Sequence, residues 1–503
     1  MRRCGQLVCT ASSSSIISIA MRKFLFLMLL LLCGCMLSCM DEEKFDTPAG
    51  ATLDFSIDTL KFDTVLANVG TPTRYFMAYN HNKKGIRITD ISFENGESRG
   101  FRVNADGLYI NNGLQQPIER RKGDSLRIFV ELTPEAYDRD EPVEVSARLI
   151  FTLANGMRQS VVLTAFSQNV NVMRNIHVMR DSILASGRPY LIYDSLTVAE
   201  GATLTLQAGA MLYFHSNAGL RVDGSLKAEG TLKQQIVFRG DRTDMMFENQ
   251  PYDRVPNQWQ GIRFTSSSYG NELNYCDIHS GNYGIVCDSS DASREKLRME
   301  NSVVHNMGGN CITLFSTNAF VGNTQITNAA NYCIAVYGGN ADFVHCTIAN
   351  CYPFEAQRDG ALYYSNEFNG QPYPIEKLSV RNSIITGYSD DEIYGVKSEA
   401  YPKAAFNYGF YNSLLDTPEV DDEQIVGCRW DNSKNKVCRE GNFPKFNNDA
   451  LIYSFKLVKE SPAIGLGDET VTSIYYPNDR LGRPRLADGH SDAGCYEFQE
   501  TAR

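Results

Sequence analysis

Between Asn323 and Cys351 the chain says nearly the same thing twice: Asn323-Thr324-Gln325-Ile326 returns 22 residues later as His345-Cys346-Thr347-Ile348. Neither the 3.6-residue period of a helix nor the two-residue period of a strand makes an echo at that distance, so the repeating unit is larger than one element. The pattern is a polar residue, a small one, any residue, then Ile, Val or Leu. It recurs as Tyr275-Cys276-Asp277-Ile278, Asn301-Ser302-Val303-Val304, Asn382-Ser383-Ile384-Ile385 and Asn412-Ser413-Leu414-Leu415. Successive aliphatic ends are 26, 22, 22, 37 and 30 residues apart. A second column, Ile285, Ile312, Ile334 and Ile393, trails the first by seven or eight residues. The spacing predicts two short strands per turn of a parallel coil, a right-handed β-helix with loop insertions.

Strand geometry then assigns the side chains. The small residue and the aliphatic residue, two apart, point into the coil, and the residue between them points out. Turns stacked ~4.8 Å apart set Ile326 between Val304 and Ile348, and Cys333 over Cys311. Asn306, Asn328 and Asn350 stand two places past the aliphatic end, where the chain bends and Asn tolerates left-handed geometry. With Asn301, Asn323, Asn382 and Asn412 at the head of the motif, they read as ladders whose amides bond along the stack.

The grammar ahead of the coil is different. From Ala51 to Val170 runs such as LDFSI, LKFDTV, IRITDISF, LRIFVEL, VEVSARLIF and VVLTAF alternate between clusters of Gly, Asn and Asp, as in an antiparallel β-sandwich. Further upstream, Met21-Arg22-Lys23 precedes the apolar run Phe24 to Leu32 and then CGCMLSCMDEE. That run is shorter than the ~20 residues that span a bilayer and has the layout of a secretory signal. It resembles a bacterial lipoprotein signal, with Cys39 as the lipidated residue and Cys35 as runner-up. Residues 1–20 read as an over-extended start. Asp41-Glu42-Glu43 resembles the acidic cluster that sends lipoproteins to the outer surface in some Gram-negative groups. The expectation is an outer-membrane protein, lipid-anchored and facing the exterior. The parts are then 1–39 start and signal, 40–50 linker, 51–170 sandwich, 171–183 linker, 184–460 coil and 461–503 a C-terminal cap segment.

Beyond Cys39 the chain carries 44 basic against 59 acidic side chains, a net of −15. Such a surface repels nucleic acid and polyanionic sugars. Nine Cys remain there, an odd number, so complete pairing is impossible. Cys428 and Cys438 are placed to clip a hairpin, and the others read as small buried residues of the coil.

At this point the chain resembles the pectate-lyase-like β-helix superfamily, in exported bacterial proteins with an amino-terminal Ig-like module. LTVAEGATLTLQAGA and Trp259-Gln260-Gly261-Ile262-Arg263-Phe264 look like the first coils of that group. Ser461-Pro462-Ala463-Ile464, Gly482-Arg483-Pro484-Arg485 and Asp492-Ala493-Gly494-Cys495-Tyr496-Glu497 resemble its terminal signature. Relatives commonly carry Asp after the Ser-Pro-Ala-Ile element, where this chain has Gly465. The resemblance implies an all-β fold, Ig-like sandwich followed by right-handed parallel β-helix, and a polysaccharide lyase or glycoside hydrolase as one function. Fold does not settle activity.

The Gly-His-Gly pattern of the family's hydrolases is absent, and no paired carboxylates stand in register. The best outward cluster is His279 and His305, on adjacent turns, with Asp277 beside His279. Arg358, Asp359, Tyr363 and Tyr364 fall in the enlarged loop after Cys351. Two His and one Asp are a donor set for a metal or for proton transfer, and equally ordinary polar residues of a sheet surface. The expectation is therefore no metal and no cofactor, with Ca²⁺ entering only if the chain is a lyase. Asp277, His279, His305, Arg358 and Asp359 are the weak catalytic candidates; His279, His305, Tyr363 and Tyr364 are the ligand-binding ones. The function expected is glycan binding or adhesion at the cell surface without catalysis. The alternatives are the lyase or hydrolase, and a structural or assembly lipoprotein.

Overall fold

The computed structural model describes residues 45–110, 113–355, 359–431 and 441–500. Cys35, Cys39, Arg358 and Cys438 lie outside them.

The amino-terminal part is a β-sandwich of two five-stranded sheets. Alternation is its organising signal. In Ser125–Leu132 the side chains of Leu126, Ile128, Val130 and Leu132 are buried while Arg127 and Phe129 face out, as a strand period of two requires. Pairing is antiparallel except where Thr59–Leu66 runs parallel to Arg158–Gln168.

The remainder is a parallel coil with three sheets per turn, one more than the sequence pattern suggests. The first sheet contains Met211–Phe214, Ile236–Gly240, Cys276–His279, Val303–Met307, Gln325–Ala329, Thr347–Asn350 and Ile384–Gly387. The second contains Ile262–Phe264, Ile285–Cys287, the first halves of Ile312–Gly322 and Ile334–Val344, then Leu362–Ser365 and Ile393–Val396. The third is built from Asn271–Asn274, Glu295–Glu300, the second halves of the two long strands, Ile375–Arg381 and Phe406–Tyr411. Residues 171–183, read above as a linker, already belong to the coil: Asn171–Val178 pairs with Tyr190–Val198.

The core follows the predicted register. Ile278, Val304, Ile326, Ile348 and Ile385 lie directly over one another, all fully buried. The second column runs Ile285, Ile312, Ile334, Leu362, Ile393. The small residues have a further role. The N–H of Cys276 donates to Ser302 Oγ (2.9 Å), that of Ser302 to Thr324 Oγ1 (3.2 Å), and that of Ser383 to Ser413 Oγ (3.0 Å). Each hydroxyl thus satisfies a buried donor on the turn before it, which would otherwise cost about 1–3 kcal/mol.

Corners explain the polar residues. At the head of each motif Tyr275, Asn301, Asn323, His345, Asn382 and Asn412 all have φ between 47° and 52°, the left-handed region that Asn enters most easily. Amides bond up the stack: Asn301 Nδ2 to Asn274 Oδ1 (2.8 Å) and Asn323 Nδ2 to Asn301 Oδ1 (2.7 Å). Asn306 and Asn328, with φ of 56° and 61°, form a second ladder at 3.2 Å. Asn350 departs from the set. It keeps a negative φ, and its amide donates to the carbonyls of Asn331 and Asp359, both at 2.8 Å, because the inserted loop starts here and must be tied down.

The terminal segment is a strap along the flank rather than a cap over the last turn. Between Ser461 and Phe498 it runs past the Asn corner, where Tyr476 Oη bonds Glu300, Arg480 reaches Gln235, Arg485 bonds Asn323 and Tyr496 Oη bonds Gln325. It covers Ala349, Ile384 and Leu414, which point outward from the first sheet. Among the described residues Cys276, Cys287, Cys311, Cys333, Cys346, Cys428 and Cys495 are thiols.

Candidate functional site

Two outward features of the coil carry chemistry. The first lies on the first sheet. The register pairs Asp277 with Val303 and His279 with His305, so both imidazoles stand on one outer row. Their ring centroids are 4.9 Å apart. Asp277 Oδ1 lies 2.9 Å from His279 Nδ1 and 3.1 Å from His305 Nε2. Two residues that sequence reasoning missed complete the cluster. Asp253, from the excursion between Gly240 and Trp259, puts Oδ1 2.8 Å from His279 Nε2, and Arg239 Nη1 is 3.0 Å from the same oxygen. Basic and acidic side chains therefore alternate along Arg239, Asp253, His279, Asp277 and His305.

The surroundings hold this arrangement still. Trp259 is fully buried, stacked on Phe214 at 4.4 Å, and its Nε1–H donates to the His279 carbonyl at 2.8 Å. Ser280 turns the chain in the left-handed region and its hydroxyl donates to the Asp253 carbonyl. Burial opposes a charge on His279, but Asp277 and Asp253 outweigh it and raise its pKa to about 9. Burial likewise opposes ionisation of Asp277, yet the charge of His279 and bonds from both imidazoles hold its carboxyl well below the usual range. Both ring nitrogens of His279 are thus committed to carboxylates, and it has no free lone pair for proton abstraction.

The second feature lies on the adjoining sheet. Phe315 and Tyr337 are stacked in register on successive turns, at 5.1 Å and 11°. Tyr337 meets Tyr363 at 5.5 Å and Phe368 at 4.6 Å, and Tyr332 meets Tyr363 at 4.9 Å and Tyr394 at 6.2 Å. All six are exposed or half-buried, so their rings form one continuous aromatic platform on the outside of the coil. Asp359 stands at its rim, where partial burial pushes its carboxyl upward. Burial and that carboxylate together push the Tyr332 phenol up, which keeps it a neutral donor at ordinary pH.

Of the residues named from sequence, Asp277, His279 and His305 are in one cluster, while Asp359 and Tyr363 are in the other. Tyr364 is a correction. Leu362–Ser365 is a strand rather than loop, so adjacent residues face opposite ways: Tyr363 points out, and Tyr364, 5% exposed, packs inside against Phe406 at 5.4 Å. Arg239 was findable, since it follows Phe238 as His279 follows Ile278 on the strand it pairs with. Asp253 sits in an irregular excursion and has no periodic signal.

Residues 252–413 match the protein-family model described as a right-handed beta helix region. The coil is a right-handed β-helix. A 125-residue stretch is 29% identical to Protein bark beetle of Drosophila melanogaster, covering 25% of this chain and 4% of that protein. Among solved structures, the chain is similar to the catalytic unit of a GH87 α-1,3-glucanase from Streptomyces thermodiastaticus, at 11% identity and a TM-score of 0.32, over 70% of this chain and 74% of that one. It is also similar to the CupB6 tip adhesin from Pseudomonas aeruginosa, at 14% identity and a TM-score of 0.20, over 25% of this chain and 44% of the adhesin. This right-handed β-helix carries its two polar and aromatic features on separate sheets of neighbouring turns.

Proposed function

We propose that this protein is a lipid-anchored, outer-membrane protein of the cell exterior that binds a glycan on the aromatic platform and does not cleave it. The platform is the observation that carries the reading. A sugar ring offers an apolar C–H face bordered by hydroxyls, and tyrosines offer an apolar ring with a polar tip. Rings repeating at the pitch of the coil suit an extended chain of such units. Asp359 at the rim supplies an acceptor for hydroxyls. The net charge of −15 favours a neutral glycan over a polyuronate. A non-catalytic role is supported by the committed nitrogens of His279. The Ig-like sandwich then serves as a spacer between anchor and coil.

The test is retention of the full-length chain on immobilised neutral and acidic polysaccharides, with reducing ends assayed in parallel. Tyr337→Ala with Tyr363→Ala should weaken retention at least about tenfold, the ratio equivalent to 1.4 kcal/mol, while the thermal midpoint stays near that of the parent. Unchanged retention in the double variant removes the platform from the reading, and new reducing ends abolished by Asp359→Asn replace binding by hydrolysis. The anchor has its own test. Cys39→Ser should abolish palmitate labelling and leave the protein unprocessed or released from membranes. Labelling that survives in Cys39→Ser and disappears in Cys35→Ser moves the anchor to Cys35.

A further inference from the structure

We infer that Asp277, His279 and His305 form a binding site for one divalent first-row transition ion, Zn²⁺ being the simplest probe. The inference rests on the cluster alone and not on the glycan reading; the ion would replace the Nδ1 proton of His279, released to solvent, so the commitment of that nitrogen to Asp277 holds for the ion-free cluster.

The donor set fits such an ion: two imidazole nitrogens and one carboxylate oxygen, borderline in softness. Three ligand atoms, one from each residue, all lie within 4.8 Å of one another. With metal–ligand bonds of about 2.0–2.2 Å at tetrahedral angles, donor atoms stand about 3.3 Å apart. Asp277 Oδ1 is already 2.9 Å and 3.1 Å from the two nitrogens. Small rotations about the side-chain bonds of His279, His305 and Asp277 open the centre between them. The backbone need not move, because hydrogen bonding of the two strands fixes all three Cα positions.

The surroundings have the form that metal-bound histidines usually show. A ligating imidazole donates its other N–H to a carboxylate, which fixes the tautomer and raises the basicity of the ring. His279 does this through Nε2 to Asp253 at 2.8 Å, and Asp253 is in turn held by Arg239 at 3.0 Å. Asp253 and Arg239 are thus positioning residues rather than ligands. The His279 carbonyl is pinned by Trp259. Access is open on one side: the side chains of Asp277 and His305 are 31% and 24% exposed, and that of His279 is 8%. Three protein ligands and an exposed fourth position describe an open site rather than a closed structural one.

The experiment titrates the full-length chain, purified in detergent and stripped with chelator, with Zn²⁺ alone in a calorimeter, and repeats it with Co²⁺ while recording the visible spectrum. The result expected is one equivalent bound, with visible Co²⁺ bands of an ordered site and a thermal midpoint raised by the ion. His305→Ala and Asp277→Asn should each weaken the affinity at least 100-fold. Asp253→Asn should weaken it 10- to 100-fold, the range typical of an outer partner, and Tyr363→Ala should leave it unchanged. His305→Ala removes an outer-row ring without opening the core, so a folded variant is expected, and circular dichroism verifies it. Failure of the parent to bind one equivalent overturns the inference and leaves an ion-paired network only. Binding that is equal in parent, His305→Ala and Asp277→Asn overturns it as well, because the ion then sits elsewhere.

Discussion

Ile326→Ala should lower the free energy of unfolding by about 2–5 kcal/mol, the range for deleting a buried aliphatic side chain. Ile326 is fully buried between Val304 and Ile348, each one turn away and in hydrogen-bonded register. The surroundings collapse poorly onto such a gap, because strands on both sides are held at fixed pitch. In a solenoid each turn contacts only its neighbours, so the loss should be seen first as faster amide exchange in residues 303–349 and then as a lower denaturant midpoint. A matched control is Asp342→Asn, which removes only the exposed ion pair with Lys377 and should cost no more than about 1 kcal/mol. An unchanged midpoint for Ile326→Ala would mean that the column is not where the register puts it.

Arg485→Met is the second large effect expected. The guanidinium is fully buried and bonds Asn323 Oδ1 at 2.8 Å, the Gly494 carbonyl at 3.0 Å and Glu497 Oε2 at 3.2 Å. Breaking such a buried set from one side typically costs about 3–5 kcal/mol, and here the loss should fall on the strap. Protease nicking between residues 476 and 498, with the coil still folded, is the expected readout. The effect should depend on pH. Burial, then Asp492, lifts the Glu497 carboxyl to about 8 against the pull of Arg485. A carboxyl raised in the folded state contributes stability that is complete below its unfolded value, 4.5, and is lost as pH rises through about 8. Without Arg485 the ionised form has no cation beside it, so Arg485→Met should be closest to the parent at pH 5 and furthest from it at pH 9. Equal nicking of variant and parent at pH 9 would show that Arg485 does not hold the strap.

Much of this architecture was legible because a solenoid writes its register into the sequence. Val304, Ile326 and Ile348 announce a column, and Ser302 and Thr324 announce the position two residues before it. The third sheet was not legible: Ile312–Gly322 and Ile334–Val344 pass from the second sheet to the third within single long strands. That corner is marked only by Ser316 and by Gly338-Gly339, with φ of 36°, 74° and 80°, which lie inside continuous runs and share no residue type from turn to turn as Asn301 and Asn323 do. His279 and His305 were readable as neighbours because each follows an aliphatic end by one place. Asp253 was not, since the excursion that carries it obeys no period. Phe315 and Tyr337 were within reach, three residues beyond Ile312 and Ile334, but the same offset from Leu362 falls on Ser365, and Tyr363 joins the platform from one place beyond Leu362.

The strap sets an order of events. Each turn of the coil needs only the turn before it, so a chain made amino end first can wind as it emerges. The bond from Arg480 to Gln235 joins residues 245 positions apart, and contacts of that separation form late because the closure entropy must be met first. Until residues 461–498 arrive, Ala349, Ile384 and Leu414 lack the cover of Ala463, Leu466, Ala493, Cys495 and Tyr496. A nonsense codon between Trp430 and Ser461 would therefore yield a chain with every described strand of the coil in place and an apolar stripe that lacks the strap along its side. Exposed apolar surface of that kind makes such a product prone to aggregation and proteolysis, and arrival of the strap is itself the step that seals the surface.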